Sequence, residues 1–154
     1  MRTLLLSFKP NVYEKVINGI KIYEHRRTFP EEPVKAYLYV SRPVQEITGI
    51  MYLGNRQSLE DWKREFSYDK DAIERIEKYQ IKNRYVMEIQ QFQKTNGIAL
   101  EQILKTFPNF RVPQMYINLD GTPLLNYLEE NLNPVDNVIH HSFENITSDM
   151  ICRN

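Results

Sequence analysis

Residues 19–27 decide the fold of this chain and read Gly19-Ile20-Lys21-Ile22-Tyr23-Glu24-His25-Arg26-Arg27. The pattern is G-x-K-x-x-E-x-R. Before it, apolar residues at positions 12, 13, 16 and 17 recur at helical spacing, and Gly19 supplies the left-handed residue that ends such a helix. After Gly19, the side chains of Lys21–Arg27 alternate in character, as they do in a strand. The stretch therefore predicts a short helix, a glycine stop and a strand.

The predicted strand carries charged side chains in a useful arrangement. Glu24 and Arg26 share one face, so they can hold each other in place while the guanidinium keeps donors for a phosphate or a base edge. Lys21 stands at the mouth of the strand, where a flexible ammonium can reach an anion. The ordinary alternatives are a cross-strand salt bridge and a surface lysine, and these alternatives stay open.

The rest of the chain divides into short strands that helices interrupt irregularly. Alternation or apolar runs predict strands at Thr3–Phe8, Val34–Ser41, Gln45–Leu53, Arg84–Gln93 and Pro113–Leu119, with a bend or bulge at Gly49 and a stop at Gly54-Asn55. Helical spacing predicts helices at 11–18, 99–107 and 122–132, and a charged helical pair within 58–80. This order favours an α+β fold over a regular βαβ succession.

The motif resembles the signature of the ASCH domain family, part of the larger PUA-like group of small β-barrels. Further elements match the family in order: the first strand through Pro10, the short helix, Tyr37–Ser41 with Arg42-Pro43-Val44 and Ile47-Thr48-Gly49, and Pro113-Gln114-Met115-Tyr116. The resemblance spans about residues 3–119. We interpret residues 1–154 as a single ASCH/PUA-like domain with a helical insertion at about 58–80 and a C-terminal extension at about 120–154.

The resemblance implies a small PUA-like β-barrel of about five or six strands with flanking helices, and a cleft beside the first helix that the motif side chains line. Family members bind RNA or nucleotide-like ligands, and some small members are amidohydrolases that act on acylated cytidine with the motif lysine. The candidate ligand-binding residues are Lys9, Lys21, Glu24, Arg26, Arg27, Ser41, Arg42, Gln114 and Tyr116. Tyrosines near the motif elements offer stacking faces for bases, although strand tyrosines are more often packing residues.

Charge limits the kind of partner. The 154 residues hold 20 basic and 20 acidic side chains, so the net charge is zero. Residues 1–56 carry nine basic and five acidic side chains, a net of +4, and the remainder carries a net of −4. A protein that binds a long DNA duplex usually has an excess of positive charge. The neutral total charge therefore favours a short anionic ligand or a single-stranded nucleic acid over a long duplex.

Composition excludes several classes of protein. With 42% hydrophobic residues and a mean hydropathy of −0.54, the chain is neither disordered nor a membrane protein. The single cysteine, Cys152, allows no internal disulfide and no cysteine-based zinc site, so we expect a cytoplasmic protein. His140 and Glu144 are too few for a metal site. We expect no metal and no cofactor, and the oligomeric state stays open.

Two functions of different classes compete, and the sequence leaves open whether the chain is an enzyme. The first is a binding module for RNA or a modified nucleotide. The second is an amidohydrolase of acylated nucleosides with Lys21 and Glu24 as catalytic residues, which requires a lowered lysine pKa. Hydrolytic members that resemble the motif carry a threonine in place of Glu24, whose charge would keep the pKa of Lys21 near its ordinary value. A third possibility is a protein-interaction module that uses the inserted helices.

Overall fold

The computed structural model describes residues 1–154 and has one mixed sheet at its centre. The strands are β1 (Arg2–Phe8), β2 (Tyr23–Arg26), β3 (Val34–Val40), β4 (Glu46–Ser58), β5 (Tyr85–Gln93), β6 (Ile98–Ala99), β7 (Tyr116–Asn118) and β8 (Ile139–His140). Six of them follow the order β2-β5-β4-β3-β1-β7, while β6 pairs with β4 and β8 with β5. Only β1 and β3 run parallel. The six-stranded sheet forms a half-barrel, so the predicted α+β class is confirmed.

Five helices flank the sheet and begin where the sequence predicts. They are α1 (Pro10–Ile17), α2 (Leu59–Glu65), α3 (Lys70–Gln80), α4 (Leu100–Thr106) and α5 (Pro123–Asn131). The side chains of Ser58, Asp69 and Thr122 each accept a hydrogen bond from the first turn that follows them. Gly19 ends α1 with φ of +72°, as predicted. None of the helices combines the length and the apolar character that crossing a membrane requires.

Alternation along the strands fills a core on each face of the sheet. On β1, Leu4, Leu6 and Phe8 face the core that α1 covers, while Leu5 faces the core that α4 and α5 cover. The same parity divides β3, where Tyr37 and Tyr39 lie in the second core. Helices therefore cover both faces of the half-barrel.

A third core joins the inserted helices α2 and α3 to the sheet. Trp62 and Ile76 pack there against Tyr23 of β2, and Ile151 is fully buried among them. The end of the chain thus returns to the strand that carries the motif. Nothing in the sequence periodicity of residues 133–154 predicts this return.

Strand β4 differs most from its prediction. It continues to Ser58 instead of ending at Gly54-Asn55, because a register shift between Gly54 and Gln57 absorbs Asn55, whose φ is +50°. The predicted bend at Gly49 is confirmed: its φ is +86°, and the pairing with β3 shifts by one residue beside it. The predicted last strand is shorter than expected and covers only Tyr116–Asn118.

Candidate functional site

The motif side chains form a charged cluster at β2, with Glu24 at its centre. Glu24 Oε1 lies 3.4 Å from Lys21 Nζ, and Oε2 accepts a hydrogen bond of 3.1 Å from Arg26 Nη2. The backbone N–H of His25 also donates to Oε1, at 3.0 Å. Because Glu24 is 4% exposed and Lys21 is fully buried, these charges interact with little solvent screening.

The pKa of each buried group follows from this arrangement. Burial raises the pKa of Glu24, but the charges of Lys21 and Arg26 and the His25 N–H outweigh it and bring that pKa to about 2. Burial lowers the pKa of Lys21, while the Glu24 carboxylate acts in the opposite direction. Burial also lowers the pKa of His25 to about 3, so its ring is neutral at pH 7. Glu24 is therefore a carboxylate over the whole physiological range.

Arg26 ties the edge strand β2 to the other side of the half-barrel. Its Nη2 donates to the carbonyl oxygen of Ser7 and its Nη1 to that of Met115, both at 3.2 Å. With the bond to Glu24, three of its five N–H donors are used. The guanidinium also lies over the ring of Phe8, with 5.5 Å between its carbon and the ring centroid. Arg26 thus has a structural role and still has two N–H donors for a ligand.

A cleft of about 360 Å³ opens in front of this cluster, beside α1. Its lining is mostly polar and consists of Ser7, Phe8, Lys9, Asn11, Val12, Glu24, His25, Arg26, Asn83 and Asn154. We call this the motif cleft. Its position beside the first helix agrees with the expectation drawn from the resemblance.

A larger cavity of about 530 Å³ adjoins the motif cleft and shares Asn83 with it. It lies where the inserted helices meet β2 and β5, and Arg27 and Arg84 line it. Both arginines are exposed, and neither forms a salt bridge. We call this the arginine cavity. Its two unpaired guanidinium groups suit an anion.

The structure brings only part of the predicted site together. Lys9, Glu24 and Arg26 line the motif cleft, and Arg27 lines the arginine cavity. Lys21 differs from expectation: instead of a flexible ammonium at a strand mouth, it is a fully buried group behind Glu24. The remaining four predicted residues line neither space; they are Ser41, Arg42, Gln114 and Tyr116.

The positions of Ser41 and Tyr116 have simple causes. Ser41 is held at the end of β3 by its N–H, which donates to the carbonyl oxygen of Phe8 at 2.9 Å. Tyr116 packs edge-on against Phe29 and pairs with Leu6 on β1. Tyr23, Tyr37 and Tyr39 are buried packing residues, as expected for most strand tyrosines. No base-stacking role is needed to explain them.

Sequence reasoning missed the three asparagines of the motif cleft. Asn11 lies in the first turn of α1, Asn83 follows α3, and Asn154 is residue 154. They lie far apart along the chain, and no local pattern connects them. Elsewhere, no group of three or more His, Cys, Asp or Glu side chains lies close enough to hold a metal ion.

Comparison with solved structures places this geometry in a known fold. The crystal structure of ASCH from Zymomonas mobilis superposes with a TM-score of 0.66 over 88% of this chain and 99% of that one, at 18% identity. The chain has the fold of an ASCH domain. Two single-substitution variants of that protein, one serine-to-alanine and one tyrosine-to-phenylalanine, superpose with TM-scores of 0.63 and 0.64 at 18% and 17% identity. They cover 84% and 86% of this chain, and 96% and 100% of their own.

The resemblance to ASCH domains seen in the motif is thus confirmed at the level of the fold. No family model matches the sequence, and no curated protein matches it either. The similarity to ASCH domains is therefore evident from the motif and from the backbone geometry.

Proposed function

We propose that this ASCH-fold protein is a binding module for RNA or a nucleotide-like ligand, which it holds in the motif cleft. The observation that carries the proposal is the unused hydrogen-bonding capacity of Glu24 and Arg26. Two N–H donors of Arg26 stay free, and Glu24 Oε2 accepts only from Arg26. A fixed donor and a fixed acceptor side by side match a base edge that carries an amino group next to a ring nitrogen.

That pattern favours cytosine or adenine over uracil, because uracil has no amino group to offer Glu24. The low pKa of Glu24 supports this preference, since the group accepts and does not donate at pH 7. Lys9 is exposed at the rim of the cleft and is available for a phosphate. The arginine cavity next to the cleft supplies two more cations along the same surface.

The charges also suit the size of the ligand. Arg27 and Arg84 are free to meet phosphate oxygens, while the net charge of the whole chain is zero. An oligonucleotide that contacts Lys9 and the arginine cavity would meet two or three of these cations. Its affinity should then fall with salt with a slope of about −1.4 to −2.1, at 0.7 for each phosphate of a single strand.

Fluorescence anisotropy with short labelled oligocytidylate and oligouridylate tests the proposal. We expect tighter binding of oligocytidylate and the salt slope given above. Arg84→Ala should reduce the slope by about 0.7, whereas Lys105→Ala should leave it unchanged, because Lys105 lies on α4 across the sheet. Equal affinity for both oligonucleotides together with a flat salt response would refute the proposal.

The amidohydrolase remains the second candidate, because burial lowers the pKa of Lys21 as an amine nucleophile or base requires. Two observations weigh against it: Lys21 is fully buried, and Glu24 occupies the position of the threonine in the hydrolytic members. We expect no turnover of acylated cytidine by the full chain. Turnover that Lys21→Ala abolishes in a folded variant would overturn this preference.

A further inference from the structure

The last residues of the sequence lie directly over Lys21. Lys21 Nζ donates to the carbonyl oxygen of Arg153 at 2.7 Å and to Oδ1 of Asn154 at 3.3 Å. Its third neighbour is Glu24 Oε1, at 3.4 Å. An ammonium has three N–H donors, so two of the three acceptors come from residues 153 and 154. These two residues complete the burial of Lys21.

The segment formed by residues 151–154 is attached unevenly along its length. Ile151 is fully buried and Cys152 is 9% exposed, both in the third core. By contrast, no backbone N–H of residues 152–154 donates to a backbone carbonyl. Four side-chain hydrogen bonds hold residues 153 and 154: two from Lys21, one from Lys15 to the carbonyl oxygen of Asn154, and one from Arg153 Nε to the carbonyl oxygen of Asp149.

The backbone at the junction is also strained. Cys152 has φ of +52°, in the left-handed region that a residue with a β-carbon rarely adopts. Residues 151 and 152 are buried and anchor the segment, while residues 153 and 154 are held by side-chain hydrogen bonds from Lys15, Lys21 and Arg153. Residues that are held in this way can leave their position without unfolding the core beneath them.

The contacts resemble those that a ligand would make. A peptide carbonyl and a side-chain amide oxygen occupy the space before the ammonium, and Asn154 lines the motif cleft itself. A base carbonyl or a phosphate oxygen is an acceptor of the same kind. The site of Lys21 is thus already filled by an internal group of ligand-like chemistry.

We propose that residues 153 and 154 are a built-in occupant of the Lys21 site, which a nucleotide-like ligand displaces when it enters the motif cleft. Displacement exposes the ammonium, which then donates to an oxygen of the ligand. This regulation rests on the proposed function. If the site is open for only a fraction of the time, the apparent association constant equals the intrinsic one multiplied by that fraction.

Chemical labelling measures the opening without any ligand. The full chain and a variant that ends at Cys152 are treated with an acetylating N-hydroxysuccinimide ester, and acetylation of each lysine is followed by mass spectrometry. We expect Lys21 to react at least about tenfold more slowly than the exposed Lys105 in the full chain, because reaction requires opening. In the shortened variant Lys21 should lose this protection, while Lys105 reacts as before.

A second variant leaves the segment complete. Lys15→Ala removes one of the hydrogen bonds that hold residues 153 and 154 and should increase acetylation of Lys21, whereas Lys70→Ala, at an exposed lysine that forms none of these bonds, should not. Thermal unfolding of each variant confirms that the fold is retained. Unchanged protection of Lys21 in both the shortened chain and Lys15→Ala would overturn the inference.

Binding of labelled oligocytidylate then tests the regulation. We expect the shortened chain to bind more tightly, by the same factor as the increase in Lys21 acetylation. Increased acetylation with unchanged or weaker binding would overturn the regulatory role. If neither form binds, the proposed function fails together with displacement by a nucleotide, and the labelling alone decides whether residues 153 and 154 cover Lys21.

Discussion

Neutralising Glu24 tests the physical basis of the site, because this carboxylate balances a buried ammonium. The pKa of Glu24 falls from an ordinary 4.5 to about 2, and one pKa unit corresponds to about 1.36 kcal/mol, which gives about 3 kcal/mol of stability at pH 7. Glu24→Gln keeps the shape and removes the charge. We therefore expect the free energy of unfolding to fall by about 3 kcal/mol, the range for breaking a buried pair.

Urea denaturation at pH 7 measures this loss, and a double-mutant cycle identifies its origin. If the cost comes from leaving Lys21 charged and unpaired, then adding Lys21→Met to Glu24→Gln should recover part of it. Glu32→Gln is the matched control, because its partner Arg2 and Glu32 itself are exposed and such pairs contribute less than about 1 kcal/mol.

The pH dependence gives an independent check on the same group. Since the folded-state pKa of Glu24 lies below its unfolded value, its contribution is complete above pH 4.5 and is lost as the pH falls towards 2. Glu24→Gln should flatten the stability profile in this window. A loss of less than about 1 kcal/mol at pH 7, or a profile as steep as that of the wild type, would refute the reasoning.

Two further perturbations concern His25 and Gly49. Burial lowers the pKa of His25 from 6.5 to about 3, so the contribution of the neutral ring to stability is complete above pH 6.5 and decreases as the pH falls towards 3. In urea titrations, the wild type should lose about 2–3 kcal/mol more stability between pH 7 and pH 4.5 than His25→Phe does. An equal loss in the two proteins would contradict this. A β-carbon at Gly49 would lie 2.9 Å from Phe92 Cε1 at a φ of +86°, so Gly49→Ala should cost about 1–3 kcal/mol. Gly121→Ala, with φ of +73° and no atom within 4 Å, should show the backbone strain alone in thermal unfolding, about 1 kcal/mol; an equal cost at the two positions would exclude the clash with Phe92.

Several features of this fold were predictable because they depend on neighbouring residues. Pro10 and Gly19 delimit α1, and Ser58 and Asp69 begin the inserted helices, because capping and backbone preferences act within one turn. The Glu24–Arg26 pair followed from strand alternation alone. The length of β4 was mispredicted, because pairing with β5 carries the strand through Asn55, a residue typical of turns.

The cleft, by contrast, was decided by contacts between distant parts of the chain. Lys9, Asn83 and Asn154 meet there only because the sheet order places β2 beside β5 and Ile151 anchors the end of the chain in the core of the inserted helices. The sequence determined which charges the motif carries and how they pair along one strand. Only the tertiary structure decided that Lys21 is buried beneath residues 153 and 154, because burial depends on what packs over a residue, and that is set by contacts more than a hundred residues away.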